Sequence, residues 1–238
     1  MTLSRRKWIG FAAGLAGSGI WANELRQLRP SDEAGEDKAL ASLLEQMRLM
    51  TKNRDHRALE ALMLPDFRVE FDVGKGPKAF RSHWRPDMPD SGLWEILRRL
   101  LILGGTFYSP TLFAIPYVYT RFPADLDPFG HVVALGEEVS LVDEPKPDAK
   151  RVGSLEYSIA PLAKPVQPPV VIPTNSFPEI NHPGAGRCFV AASEVYSPAG
   201  HRVFFEKRRG RWRWISLAAA TLAEPPDLEL LRRKGVSL

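Results

Sequence analysis

Apolar positions recur at helical spacing through residues 91–105, SGLWEILRRLLILGG. Leu93, Ile96, Leu97, Leu100, Leu101 and Leu103 fall mostly on one side, with Trp94 beside them, and Arg98 and Arg99 are expected on the wet side. Ser91 is placed to accept a hydrogen bond from a first-turn amide, and Glu95 lies near the positive end of the helix dipole. Gly104-Gly105 should end the helix through a left-handed cap. Burial of a large apolar side chain is worth about 1.5–3 kcal/mol, so this helix can anchor a core. It is too short and too charged in its middle to cross a bilayer.

Other segments carry weaker patterns. Residues 29–37 are polar and read as a linker. Leu40, Leu43, Leu44, Met47 and Met50 then predict an amphipathic helix over 38–51. Asp55 can cap a short helix bearing Leu59, Leu62 and Met63, closed by Pro65. Phe67, Val69 and Phe71 alternate with Arg68, Glu70 and Asp72, predicting a half-buried strand. A glycine turn at Gly74 and Gly76 leads into a short helix from Pro77 to Trp84. Residues 111–121 read as a strand in which Pro116 forces an edge or a bulge. Residues 201–207 and 211–217 predict a hairpin, with Val203 and Phe205 on one strand, Trp212 and Trp214 on the other, and Arg208-Arg209-Gly210 at the turn.

The segment 131–160 has a different texture of short alternating strands. Residues 161–183 then hold seven prolines in 23 positions, so no long central strand fits there.

With 238 residues and 44% hydrophobic content, the chain can bury a sizeable core. Its net charge of +4 comes largely from the N-terminus: without Arg5, Arg6 and Lys7, 29 Lys+Arg face 28 Asp+Glu. The body is therefore no general polyanion binder. The single cysteine, Cys188, excludes an intrachain disulfide and any cysteine-based zinc or iron–sulfur site. Residues 4–9, Ser-Arg-Arg-Lys-Trp-Ile, precede a glycine-rich apolar run through Ile20, which is the layout of a secretory signal. The paired arginines resemble a twin-arginine export signal, which implies a periplasmic protein or one anchored in the membrane facing the periplasm.

Two further resemblances bear on architecture. Val139, Leu141, Pro145, Ala149, Val152 and Leu155 match positions of the bacterial SH3-like (SH3b) domain, and Arg187-Cys188-Phe189-Val190 echoes its later Gly-Tyr-Val turn. The order of two helices, a strand, a long apolar helix and a late hairpin resembles the NTF2-like α+β fold. FDVGKGPKAFRSHW, LWEILRRLLILGG, IPYVYTRFP and SPAGHRVFFEKRRGRWRW together look like envelope proteins that set an SH3-like module inside an α+β domain. That likeness implies an architecture and no activity.

Candidate chemistry is sparse. Gly74-Lys75-Gly76-Pro77-Lys78-Ala79 fits G-x-G-x-x-A but lacks the parallel βαβ unit of a dinucleotide site, so it reads as a turn. Asp125 and Asp127 lack the remaining ligands of a calcium loop and read as turn caps. His56, His83, His131, His182 and His201 show no metal-binding spacing. Cys188 sits in an apolar strand, where an inert thiol is expected rather than a nucleophile. His83 with Asp66 and Asp72 could form an acid–base set in an NTF2-like cavity. Lys207, Arg208, Arg209, Arg211 and Arg213 interleave with Trp212 and Trp214, a pattern that can bind single-stranded nucleic acid. On a hairpin the arginines would instead face water and the tryptophans the core.

These readings predict an α+β protein, a helix-plus-antiparallel-sheet domain with an inserted small SH3-like β-barrel. Residues 1–30 are expected as signal or anchor, 36–119 with 198–222 as a discontinuous domain, 120–197 as the insertion, and 223–238 as a tail. The expected role is non-enzymatic binding or scaffolding toward a peptide or cell-wall component. No catalytic, cofactor or metal site is expected, no cofactor and no nucleic acid, with possible membrane association through the N-terminus. The alternative is a small NTF2-like enzyme with an acid/base cavity.

Overall fold

Asp37 opens the first long helix, α1 (Lys38–Lys52), by accepting hydrogen bonds from the amides of Ala39 and Leu40. Its buried stripe of Leu40, Leu43, Leu44 and Met47 is the one the spacing predicts. Asp55 caps α2 (His56–Ala61) through the Ala58 amide. The computed structural model describes residues 25–70, 73–168 and 170–219. Residues 1–24 of the expected signal or anchor, Phe71 and Asp72, and residues 220–238, which include the expected tail at 223–238, lie outside the described residues.

Helix α2 ends at Ala61 with Leu62 as its C-cap, and Met63 begins a strand instead, β1 (Met63–Arg68). Pro65 falls inside that strand rather than closing a helix. β1 is an edge strand pairing only with β12 (Arg211–Ala218), in parallel, and an edge tolerates the missing proline N–H. Phe67 still points inward. It meets Phe80 of α3 (Gly76–Trp84) and Trp214 edge-on, with ring centroids 5.9 and 4.8 Å away.

Helix α4 (Leu93–Leu103) buries Leu93, Trp94, Leu97, Leu100 and Leu101. Ser91 does not cap it: its hydroxyl donates to the Trp84 carbonyl at 2.6 Å, and Gly92 occupies the cap position with no side-chain bond. Gly104 takes φ 70°, ψ 174°, an extended positive-φ conformation rather than the left-handed helical cap. A Cβ there would lie 2.7 Å from the Asp32 side chain, and one on Gly105 only 2.1 Å from the Ala114 carbonyl oxygen. The two glycines thus admit neighbouring chain on both sides. The polar segment before α1 is no free linker. Glu33 donates its amide to the Gly105 carbonyl and accepts from the Phe107 amide.

The chain turns back through a hairpin of β2 (Thr106–Ser109) and β3 (Leu112–Ile115). The single strand expected over 111–121 ends at a cis Ile115–Pro116 bond, and a helical turn, α5 (Tyr117–Thr120), follows. β3 is interior, so a proline without its N–H can stand only after the strand has ended. The late hairpin pairs β11 (Arg202–Arg208) with β12, and β11 also pairs with β3, giving the order β1-β12-β11-β3-β2. One face of this sheet meets α1, α3 and α4 in the main core. On the other, Leu112, Ala114, Phe204 and Ile215 cluster with Tyr108 and Tyr119.

Between β3 and β11 lie two small antiparallel sheets. One joins β10 (Val195–Tyr196), β4 (His131–Ala134) and β7 (Ile159–Pro161). The other joins β6 (Arg151–Leu155), β5 (Val139–Val142), β9 (Gly186–Val190) and β8 (Glu179–His182). They share an apolar core that includes Val132, Leu141, Leu155, Ile180, Cys188 and Val190. Residues 25–28, expected within the export segment, belong to this body. The Leu28 amide donates to the Tyr157 carbonyl, the Ile159 amide donates to the Arg26 carbonyl, and Arg26 pairs with Asp125. The architecture is α+β with mainly antiparallel sheets, and none of the described helices is long and apolar enough to cross a membrane.

The Lys207 ammonium, 2.7 Å from Asp37 Oδ2, holds the Asp37 carboxyl down at about 2, assisted by the helix amides. A depressed carboxyl contributes stability above its unfolded value of about 3.9 and loses it as pH falls toward 2. Asp37→Asn keeps the cap but cannot titrate. Its denaturation midpoint should therefore fall less steeply than the wild type's between pH 4 and pH 2, as measured by urea titrations across that range.

Candidate functional site

Three segments distant in sequence enclose a half-open cleft of about 250 Å³. Glu95, Ile96 and Arg99 of α4 form one wall, and the extended residues 170–174 form another. Val195–Ser197 and Gly200-His201 close the third. The cleft lies where the main core meets the core of the small sheets, because α4 belongs to the first and Val195 to the second.

Arg99 does not face water as its spacing suggested. Its guanidinium donates to the Ala192 carbonyl at 2.7 Å and to the Val195 carbonyl, and lies 5.1 Å from the centroid of the Tyr196 ring. Burial lowers its pKa from the ordinary arginine value. Arg98, one residue earlier, does stay exposed and pairs with Glu95 at 2.7 Å. Tyr196 is buried, its hydroxyl donates to the His201 carbonyl at 2.7 Å, and desolvation pushes its pKa up. The His201 imidazole lies 3.1 Å from Glu70 Oε1, the two side chains only 11% and 14% exposed. The other Glu70 oxygen accepts from the Ala219 amide. Apart from Thr174 and Ser197 the remaining lining is apolar: Val170 packs against Ala199, Ile172 is half-buried, and Val171 stands 61% exposed.

The other sequence candidates stand elsewhere. Asp66 is exposed on β1, 3.5 Å from Arg208, and His83 is exposed on α3 with its ring edge-on to Trp84. Neither lines this cleft, and Asp72 is not described, so the structure assembles no acid–base set from them. Gly74 takes φ 117° in the turn before α3, and Gly76 takes φ 79° as its first residue. Asp127 accepts from the Phe129 amide in the turn before β4. Cys188 is buried, and desolvation raises its thiol pKa, away from the thiolate a nucleophile needs. His56 pairs with Asp87 and His182 Nδ1 accepts two backbone amides. Among the described residues no His, Cys, Asp and Glu group could hold a metal ion. Trp212 and Trp214 are buried in the main core while Arg209 and Arg211 are exposed, the ordinary arrangement of a hairpin.

Sequence reasoning missed the cleft because its walls come from separated stretches. The signal that could have found it was Tyr196 and His201 bracketing Ser-Pro-Ala-Gly directly before a strand. No family model matches the chain, and no curated protein matches it. A solved structure that is similar is an inferred calcium/calmodulin-dependent protein kinase II association domain from Xanthomonas campestris. It is 10% identical at a TM-score of 0.30, over 84% of this chain and 99% of that one. A likeness of that degree carries no argument about fold or function.

Arg99→Met keeps the apolar stem and removes both donors, leaving the Ala192 and Val195 carbonyls without them. Hydrogen bonds from a charged donor are worth about 1.5–3 kcal/mol. The variant should lose about that much unfolding free energy in guanidinium titrations, whereas Arg98→Met should change it by less than about 1 kcal/mol.

Proposed function

We propose that this chain is an exported protein of the cell envelope that binds or scaffolds a peptide or cell-wall component in the junction cleft, without catalysing a reaction. The observation that carries this reading is that the polar groups around the cleft already have structural partners. Arg99 holds two carbonyls, Glu95 holds Arg98, Tyr196 holds the His201 carbonyl, and His201 abuts Glu70. Proton-transfer catalysis needs a group within reach of substrate and able to exchange its proton. A half-open cleft with apolar walls suits the side chains of an extended ligand better.

The same proposal takes residues 120–197 as a degenerate SH3-like module set within a discontinuous domain of 36–119 and 198–222, with 223–238 as its tail. The adjacency of β3 and β11 and the separate core around Leu141 and Cys188 support it. Periplasmic localisation rests on Arg5-Arg6 and the apolar run behind them.

A second reading, a small NTF2-like enzyme with an acid/base cavity, is favoured by one observation. His201 lines the cleft with a carboxylate against its ring, an arrangement that can orient a general base. Soluble peptidoglycan fragments separate the two readings. They should bind the full chain and remain intact, and Val171→Asp should weaken binding at least tenfold with an unchanged melting temperature. Cleavage of the fragments that His201→Gln abolishes would establish the enzyme instead.

Export has its own test. Residues 1–30 fused to a reporter that must fold before transport should deliver it outside the inner membrane, and the Arg5→Lys, Arg6→Lys pair should not. Equal delivery by both would remove the twin-arginine reading.

A further inference from the structure

A second groove, of about 500 Å³, runs between α1 and α4 and shares only Glu95 with the junction cleft. Arg48, Lys52, Arg54 and Arg98 line it, and Glu95 is the one acid in its walls. Two of the arginines are anchored by backbone carbonyls, and Arg98 is held by Glu95. Arg48 donates to the Leu101 carbonyl at 2.9 Å, with its remaining nitrogen on Glu45, and Arg54 donates to the Pro89 carbonyl at 3.1 Å. Glu45 and Glu95 offset the charges of Arg48 and Arg98, so Lys52 and the carbonyl-anchored Arg54 supply the groove's excess positive charge. On the same wall the Thr51 hydroxyl is buried and has no hydrogen-bond partner, although the residue is only 5% exposed. A buried hydroxyl without a partner costs free energy, and a ligand oxygen would satisfy it.

The rim of this groove is apolar where a soluble protein would ordinarily be polar. Ile102 lines the groove and is 70% exposed, and Leu49, on the adjacent face of α1, is 60% exposed. Cations around a groove with a buried hydroxyl, flanked by exposed aliphatic side chains, combine the two attractions of an interfacial surface. Those are charge for headgroup phosphates and apolar area for the acyl boundary. A free phosphate would use the first and leave the second facing water.

We propose that the α1–α4 groove binds the phosphate headgroups of an anionic lipid surface, with Lys52, Arg54 and the Thr51 hydroxyl on the phosphate and Leu49 and Ile102 entering the acyl boundary. Val171 and His201 line the junction cleft and not this groove, so their variants leave it unaffected, and its test does not depend on the cleft's ligand or on export.

The full chain is mixed with sedimenting vesicles of phosphatidylcholine, alone or with 30% phosphatidylglycerol (about a third of the lipid, a composition chosen to give a strongly negative surface). The protein should bind the anionic vesicles, and more weakly as salt rises. Lys52→Glu with Arg54→Glu should weaken binding at least tenfold. Ile102→Ser should weaken it several-fold while leaving the salt dependence as it was. Thr51→Val, isosteric and uncharged, should also weaken it, which a purely diffuse charge attraction would not show. Undiminished binding by the double-charge variant would place attachment in another part of the chain and overturn the proposal. Equal affinity for neutral vesicles would overturn it as well. So would saturation of the groove by soluble glycerol phosphate or by an acidic peptide with no affinity for vesicles.

Discussion

The centre of the five-stranded sheet is completed late. β11 lies between β3 and β12, so residues 116–201 must leave the sheet at Ile115 and return at Arg202. That constraint organises everything else. Loop closure costs only about 0.6 kcal/mol per doubling of length, so even so long an excursion adds a few kcal/mol at most. Val203, Phe205, Trp212, Trp214 and Leu217 return to the main core with it, and each fully buried large side chain contributes about 1.5–3 kcal/mol. The core therefore tolerates the excursion, and the segment can fold its own two sheets without weakening the helices' platform.

An excursion needs fixing in orientation as well as in connection, and Arg99 supplies this. It leaves the most apolar helix of the chain and reaches the carbonyls of Ala192 and Val195, at the point where the small sheets hand back to β11. The stacking of its guanidinium over Tyr196 and the Tyr196 hydroxyl on His201 continue the contact across the junction. The cleft is the space this strut leaves open. Its shape is set by structural contacts, which is why its polar groups are already engaged and its free surface is apolar.

Local periodicity made the helices legible. The stripes of α1 and α4 depend only on neighbours three and four residues away, and Asp37 and Asp55 mark helix starts by a mechanism contained in one turn. Long-range partners were not legible. Arg98 and Arg99 are adjacent in sequence and alike in chemistry, yet about 100° of helical rotation sends one to Glu95 and the other to a carbonyl pair more than ninety residues away. Pro65 ends a helix by propensity, but an edge strand accommodates it, and edge status depends on β12. Ser91 is an acceptable cap by type, and it donates to Trp84 because α3 packs nearby. The cleft shares this difficulty, since its three walls have no sequence proximity.

The prolines show how a negative signal in sequence becomes a positive feature in the fold. Seven of them in 161–183 exclude a long central strand, and the structure places the middle of that run along the cleft. Its ends are pinned by backbone bonds, from the Val166 amide to the Phe129 carbonyl and from the Ala192 amide to the Ser176 carbonyl, each 2.9 Å. Between those pins Val170 is buried against Ala199 while Val171 faces out, an alternation that an extended backbone imposes. Proline at Pro168 and Pro173 removes donors on both sides of the valines and keeps the wall extended without letting it join a sheet. An apolar wall thus stands beside Arg99 on a stretch whose flanking prolines disfavour a continuous ladder.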